Sequence, residues 1–198
     1  MNEKLYNDLM HHRPSQQQPE WKLFLQLCEL YLERNKIERP IVVEIGCLRS
    51  KQRKFYEQLF DAEHISIDIR AKGSPTILGN SHLPQTMMAL RKKLDEVNGP
   101  HELGSKPIDI LFIDAGHAYS DIRQDFDDYG PLCSGIIAIH DIEIGFPRKC
   151  DVRFFWNELK QSSKIKGSKY ADSMFISLFQ YSFERWHRSV GLGMVIQK

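Results

Sequence analysis

The sequence predicts an α/β protein: a doubly wound, mostly parallel, seven-stranded sheet with an antiparallel edge strand and helices on both faces. Three segments carry that expectation: Ile41-Val42-Val43-Glu44-Ile45-Gly46, His64-Ile65-Ser66-Ile67-Asp68 and Ile108-Asp109-Ile110-Leu111-Phe112-Ile113-Asp114. Each is a short, nearly continuous apolar run that releases a carboxylate as it ends, the pattern of a strand covered on both faces. Between them lie segments with apolar residues at three- and four-residue spacing, and strands alternating with helices in this way build parallel sheets.

The elements follow in order. Residues 1–19 include the polar, proline-flanked run His11-His12-Arg13-Pro14-Ser15-Gln16-Gln17-Gln18-Pro19 and are read as a mobile lead-in to a single domain over 20–198. The next helix turns Trp21, Phe24, Leu25, Cys28 and Leu32 inward. A second stripe, Leu23, Leu27 and Leu30, makes this N-terminal helix a candidate homodimer contact, and Pro40 stops it before the first strand. A helix over Ser50 to Phe60 buries Phe55, Leu59 and Phe60, and a strand follows at 64–69. Gly73 and Pro75 mark a loop before a short strand, Thr76-Ile77-Leu78. The helix over 84–97 carries Met87, Leu90, Leu94 and Val97 on one face and stops at Asn98-Gly99-Pro100 with a left-handed cap.

After the strand at 108–113, Ile122, Phe126 and Tyr129 mark a helix whose acidic residues, Asp121, Asp125, Asp127 and Asp128, form a solvated face. The fifth strand, 135–139, ends in His140-Asp141. The helix from about Asp151 buries Val152, Phe155, Trp156 and Leu159, which makes Phe154-Phe155-Trp156 core rather than a substrate box. Two last β-like runs, Phe175 to Tyr181 and Leu192 to Ile196, pair as an antiparallel edge.

Composition narrows the function. A chain of 198 residues suits one domain, and a net charge of +1 excludes the strongly basic balance of a general nucleic-acid binder, leaving only a local patch at Arg49, Lys51, Arg53 and Lys54. Cys28, Cys47, Cys133 and Cys150 show no CxxC pairing and read as free thiols of a reducing compartment. No run approaches the ~20 apolar residues of a transmembrane helix, and no secretory apolar core opens the sequence. A cytoplasmic protein with neither membrane nor nucleic-acid partners is the expectation.

Parallel strands place the segments after Gly46, Asp68, Gly79, Asp114 and His140 on one edge of the sheet, where open α/β sheets bind ligands. Gly46 permits a tight turn, and Asp68 can accept hydrogen bonds from both hydroxyls of a ribose. Cys47-Leu48-Arg49-Ser50 lacks the further glycines of a dinucleotide fingerprint, and Glu44 would repel a phosphate. An anionic rim suits a cationic ligand, such as the sulfonium and amino group of S-adenosylmethionine. Asp114, His140 and Asp141 form a candidate clamp for a divalent cation, which would lower the pKa of a substrate hydroxyl. Magnesium prefers oxygen ligands, whereas imidazole suits zinc, iron, nickel or copper. His117 is a candidate base for the hydroxyl proton; capping the next helix or bracing Asp114 are its structural alternatives, as a bond to a carbonyl is for His140.

Val43-Glu44-Ile45-Gly46, Ser66-Ile67-Asp68, Gly79-Asn80-Ser81, Phe112-Ile113-Asp114-Ala115-Gly116-His117-Ala118-Tyr119 and Ile137-Ala138-Ile139-His140-Asp141-Ile142 together resemble the Rossmann-like class I S-adenosylmethionine-dependent methyltransferases. The similarity is to the cephalosporin-hydroxylase-like and macrocin O-methyltransferase-like group, over about residues 41–160. The resemblance implies that Glu44 and Gly46 hold the methionine part of the cofactor, Asp68 the ribose, and Asn80 and Ser81 the adenine, while Asp114 flanks the methyl. It also implies magnesium as the first candidate for the cation, although His140 occupies a slot where related proteins usually have a carboxylate or amide oxygen; Asp114, His117 and His140 are the candidate catalytic residues. Ser50 stands where the family has a second glycine, and Gln52 where it has a serine, so the loop is bulkier. Asp114-Ala115-Gly116-His117 departs from the Asp/Asn-Pro-Pro-Tyr/Phe motif of nitrogen methylation and points to a hydroxyl of a small molecule, a sugar or secondary metabolite. Two other readings stand beside this one: a catalytically silent methyltransferase-like binding subunit, and an NAD- or nucleotide-dependent oxidoreductase on the same winding. Acceptor specificity is expected in the N-terminal helix, the loop 142–151 and the segment 161–190.

Overall fold

The strands are β1 (Ile41–Ile45), β2 (Glu63–Asp68), β3 (Ile77–Leu78), β4 (Ile108–Ile113), β5 (Cys133–His140), β6 (Met174–Leu178) and β7 (Leu192–Ile196). They form one sheet in the order β3-β2-β1-β4-β5-β7-β6. This computed structural model describes residues 1–14, 16–99, 106–143, 150–165, 167–179 and 190–197. Strands β1 to β5 pair in parallel. The strand β7 runs against both β5 and β6, so the two closing strands make the expected antiparallel edge.

The helices are α1 (Glu3–Leu9), α2 (Gln18–Asn35), α3 (Arg53–Phe60), α4 (Pro84–Asn98), α5 (Tyr119–Tyr129) and α6 (Val152–Ser162). Strand alternation divides the core between two faces. Ile41, Val43 and Ile45 pack with Leu90, Leu94, Ile122, Phe126 and Trp156 from α4, α5 and α6. Val42, Phe112 and Ala138 pack with Tyr6, Trp21, Phe24, Phe55 and Tyr56 from α1, α2 and α3. The strand order reverses between β1 and β4, and a crevice opens there at the carboxyl ends of the strands.

The structure corrects the sequence reading in several places. Residues 1–19 are not a bare lead-in: the Asn2 side chain caps α1, and Tyr6 and Leu9 are buried in the core. Two buried positions in a helix this short leave too little periodicity to read. The helix α3 begins at Arg53 rather than Ser50, because Leu48 and Ser50 take positive φ (47° and 48°) that no helix accommodates. It buries Tyr56 along with Phe55 and Phe60, while Leu59 is half-buried. Gly99 ends α4 with the positive φ expected of a glycine stop (80°), but its ψ of 173° lies outside the left-handed helical cap; Pro100 lies outside the described residues. The described part of β6 ends at Leu178, and Tyr181 lies outside it, as do the central residues of the loop 142–151 and much of 161–190. Asp125 is buried, not part of a solvated face. Leu23 and Leu30 are exposed on α2, whereas Leu27 packs against the core.

All four cysteines are free and buried, and no described helix is long and apolar enough to cross a membrane. The packing of α1 yields a direct expectation. Leu9→Ala will lower unfolding free energy by about 2–4 kcal/mol in chemical denaturation, the usual cost of a buried leucine. A loose terminal segment would show no change.

Candidate active site

The turn after β1 fixes the floor of the crevice. The Gly46 N–H donates to Ile67 O at 2.8 Å, and its φ of 86° is left-handed. A Cβ at Gly46 would lie 2.2 Å from the Asp114 carbonyl oxygen, so glycine is required for the ends of β1 and β4 to meet. Ser50, in the slot of the second glycine, adopts the φ for which glycine is the easy choice. Gln52 is buried and lines the crevice.

Asp68 ends β2 with its carboxylate already oriented. Oδ2 accepts from the Leu48 N–H at 2.7 Å and Oδ1 from the Arg70 N–H at 2.8 Å. Each oxygen keeps a second lone pair for a ligand hydroxyl. Beyond β3, the Asn80 Oδ1 accepts from the His82 N–H at 3.0 Å, and the Ser81 carbonyl accepts from the Tyr129 hydroxyl at 2.7 Å.

At the far end lies a charged cluster. His140 Nδ1 sits 3.1 Å from Asp114 Oδ1 and 3.2 Å from Asp141 Oδ1. His117 Nε2 is 2.6 Å from Asp141 Oδ2. Gln16 Nε2 donates to the other Asp114 oxygen at 3.1 Å, so the segment before α2 reaches the cluster. Asp141 itself takes a φ of 65°, a conformation that aspartate tolerates better than most residues. Gly46, Asp68, Asn80, Ser81, Asp114, His117, His140 and Asp141 thus line one crevice of about 630 Å³, a size suited to a cofactor.

Glu44 is the exception among the expected residues. Alternation along β1 turns it to the α2–α3 face, where it is fully buried, bonded to His64 at 2.9 Å, and not part of the crevice lining. Burial pushes its carboxyl up, with the His64 hydrogen bond opposing. The acidic residues of the lining are therefore Asp68, Asp114, Asp121 and Asp141, without Glu44. Gln16 was missed, because it belongs to no motif, whereas Gln52, expected only to make the loop bulkier, is part of the lining.

Burial disfavours a charge on His140, but the attraction and hydrogen bond of Asp114, then Asp141 and Glu20, outweigh it and hold the group at about 9. The Asp141 hydrogen bond likewise raises His117. The three ligand atoms of Asp114, His140 and Asp141 lie within 4.8 Å of one another, close enough to converge on one ion. The two carboxylates fit magnesium, whereas the imidazole suits a cation that accepts nitrogen.

Residues 43–142 match the methyltransferase domain family, and the chain belongs to it. No curated protein matches the sequence. Among solved structures, the O-methyltransferase TomG from Streptomyces achromogenes, in complex with S-adenosylmethionine, is 15% identical. It superposes with a TM-score of 0.56 over 100% of this chain and 90% of its own. MycE from the mycinamycin biosynthetic pathway, in complex with magnesium, S-adenosylhomocysteine and mycinamycin VI, is 14% identical with a TM-score of 0.52, over 80% of this chain and 44% of its own. The chain thus spans less than half the length of MycE. An O-methyltransferase from Bacillus cereus, in complex with S-adenosylhomocysteine, is 13% identical with a TM-score of 0.52, over 89% of this chain and 81% of its own. At these identities the likeness establishes the fold alone.

A raised histidine pKa stabilises the folded state. The contribution of His140 is complete below its unfolded value of ~6.5 and is lost as pH rises through about 9. An NMR titration of the metal-free protein will show one imidazole titrating near 9, absent in His140→Gln. Ordinary titration of His140 would mean that the two carboxylates do not hold it.

Proposed function

We propose that this methyltransferase uses S-adenosylmethionine to methylate a hydroxyl of a small molecule, a sugar or secondary metabolite. The observation that carries the reading is the division of one crevice into two ends. Asp68, its carboxylate fixed by two backbone N–H groups, occupies one end, and the Asp114–His140–Asp141–His117 cluster the other. Asp68 would bind both ribose hydroxyls, with Asn80 and Ser81 along the base. Gly46 would let the backbone close on the methionine part, and Asp114 would face the sulfonium. When bound, the cofactor supplies a methyl group activated by positively charged sulfur.

At the acceptor end, the proton of the attacking hydroxyl must leave as the oxygen–carbon bond forms and the carbon–sulfur bond breaks. Asp141 holds His117 through Nε2, which leaves Nδ1 of the neutral ring as the base that takes that proton. His140 fixes Asp114 and Asp141 in register, so that positioning supplies much of the acceleration. Asp114 and Asp141, with His140, would hold a divalent ion that adds Lewis-acid activation of the hydroxyl. TomG and the Bacillus cereus enzyme, both O-methyltransferases by name and in complex with S-adenosylmethionine and S-adenosylhomocysteine, support this reading.

Isothermal titration with S-adenosylmethionine tests it. Wild type will bind, and Asp68→Ala will weaken binding at least about tenfold, the expected loss of charge-assisted hydrogen bonds. Binding unaltered by the substitution would overturn the ribose assignment.

A further inference from the structure

The wall of the crevice beyond β3, residues 79–83, is braced from behind by α5. Within the wall, the Gly79 N–H donates to Asp68 O at 2.9 Å and the Leu83 N–H to Asn80 O at 3.1 Å. From α5, the Tyr129 hydroxyl donates to Ser81 O at 2.7 Å, and Asp125 Oδ1 faces His82 Nε2 at 3.3 Å. His82 lines the crevice with its side chain 25% exposed, whereas the Asp125 side chain is 0% exposed. Among the described residues, neither Asp125 oxygen accepts a well-directed hydrogen bond, so this buried carboxylate is aimed at the wall, where the Ser81 side chain and His82 are its neighbours.

A buried carboxylate without full hydrogen bonding costs stability. Burial pushes Asp125 up to about 6, with the Ser81 side chain and His82 pulling back and Asp121 and Asp128 of the same helix adding to the rise. A raised carboxyl pKa makes the group's contribution to folding greatest below its unfolded value of ~3.9, and that contribution is lost as pH rises through about 6. At neutral pH the protein therefore keeps this charge against its own stability, a pattern typical of groups that serve a ligand. The reaction described above makes no use of Asp125.

We propose that Asp125 is a positioning residue: its carboxylate holds His82 and, with Tyr129, sets the 79–83 wall against the base of an adenosine-bearing ligand. This rests on the reading of the crevice as a cofactor site and extends it to a group outside the lining. Acidification that protonates Asp125 releases His82 while stabilising the fold. The charged groups facing Asp125 are His82 from the wall and Asp121 and Asp128 from α5.

The test uses the full chain as wild type, Asp125→Asn and Tyr129→Phe, with S-adenosylhomocysteine as probe. At about pH 7.5, Asp125→Asn will bind about tenfold more weakly, with a melting temperature equal to or above wild type, because the buried charge is gone. The wild-type affinity will fall as pH drops through about 6, while that of Asp125→Asn stays flat. Tyr129→Phe will weaken binding and keep the wild-type pH dependence. Without ligand, hydrogen exchange at the Gly79, His82 and Leu83 amides will be faster in Asp125→Asn. Equal affinity and parallel pH profiles would overturn the proposal, as would lost affinity accompanied by a lower melting temperature, which marks a merely structural role. Should wild type fail to bind the probe, the cofactor reading fails, and unchanged exchange in Asp125→Asn would then separately remove the clamp.

Discussion

The ends of β1 and β4 approach so closely that a single methyl group does not fit between them. Gly46 meets the Asp114 backbone there, and the Asp114 N–H donates to Ile45 O at 2.8 Å while the Gly46 N–H donates to Ile67 O. This one contact ties three neighbouring strands together just past their carboxyl ends. It fixes where the turn Cys47–Ser50 stands, and the turn in turn supplies the Leu48 N–H that orients Asp68. The Asp68 end and the Asp114–His140–Asp141 end of the crevice thus share a backbone origin. A side chain at position 46 would disturb both.

The second determinant is how negative charge is managed at the strand ends. Asp114 and Asp141 converge on the His140 imidazole, and a Coulomb attraction at 3.1–3.2 Å in a mostly buried setting outweighs the cost of burying the cation. The protein thus places its own positive charge between two carboxylates. The Gln16 contact brings the N-terminal segment into this arrangement, and the packing of α1 and α2 on the sheet thereby bears on the geometry of the cluster. Asp125 follows a different logic: its carboxylate lies outside that cluster, behind the 79–83 wall.

Much of this was legible in the sequence, for reasons that concern particular residues. Strands covered on both faces must be apolar throughout, so β1, β4 and β5 stand out as runs, and the polar residues that end them mark the crevice. Period-two alternation also holds the correction for Glu44: one position before Ile45, it faces the side opposite to that core residue, and His64 on the neighbouring strand can reach it. The burial of Asp125 was readable too, since it lies three residues after Ile122 and four before Tyr129, within the inward stripe of α5. It was lost among three acidic neighbours, Asp121, Asp127 and Asp128. Gln16 left no local signal, because its partner is 98 residues away and a lone glutamine in a polar run has no pattern. The start of α3 was misplaced because positive φ at Leu48 and Ser50 is set by the approach of the Gly73 backbone and by Asp68, not by local propensity.

The central claim is that one crevice orients an adenosine-bearing methyl donor between Asp68 and Asp114. A crystal structure with S-adenosylhomocysteine tests this most directly. The account predicts both ribose hydroxyls within about 3 Å of the Asp68 carboxylate, a hydrogen-bond distance, with the sulfur toward Asp114 and His140. A nucleoside bound in the reverse sense, or away from the ends of β1, β2 and β4, would contradict it.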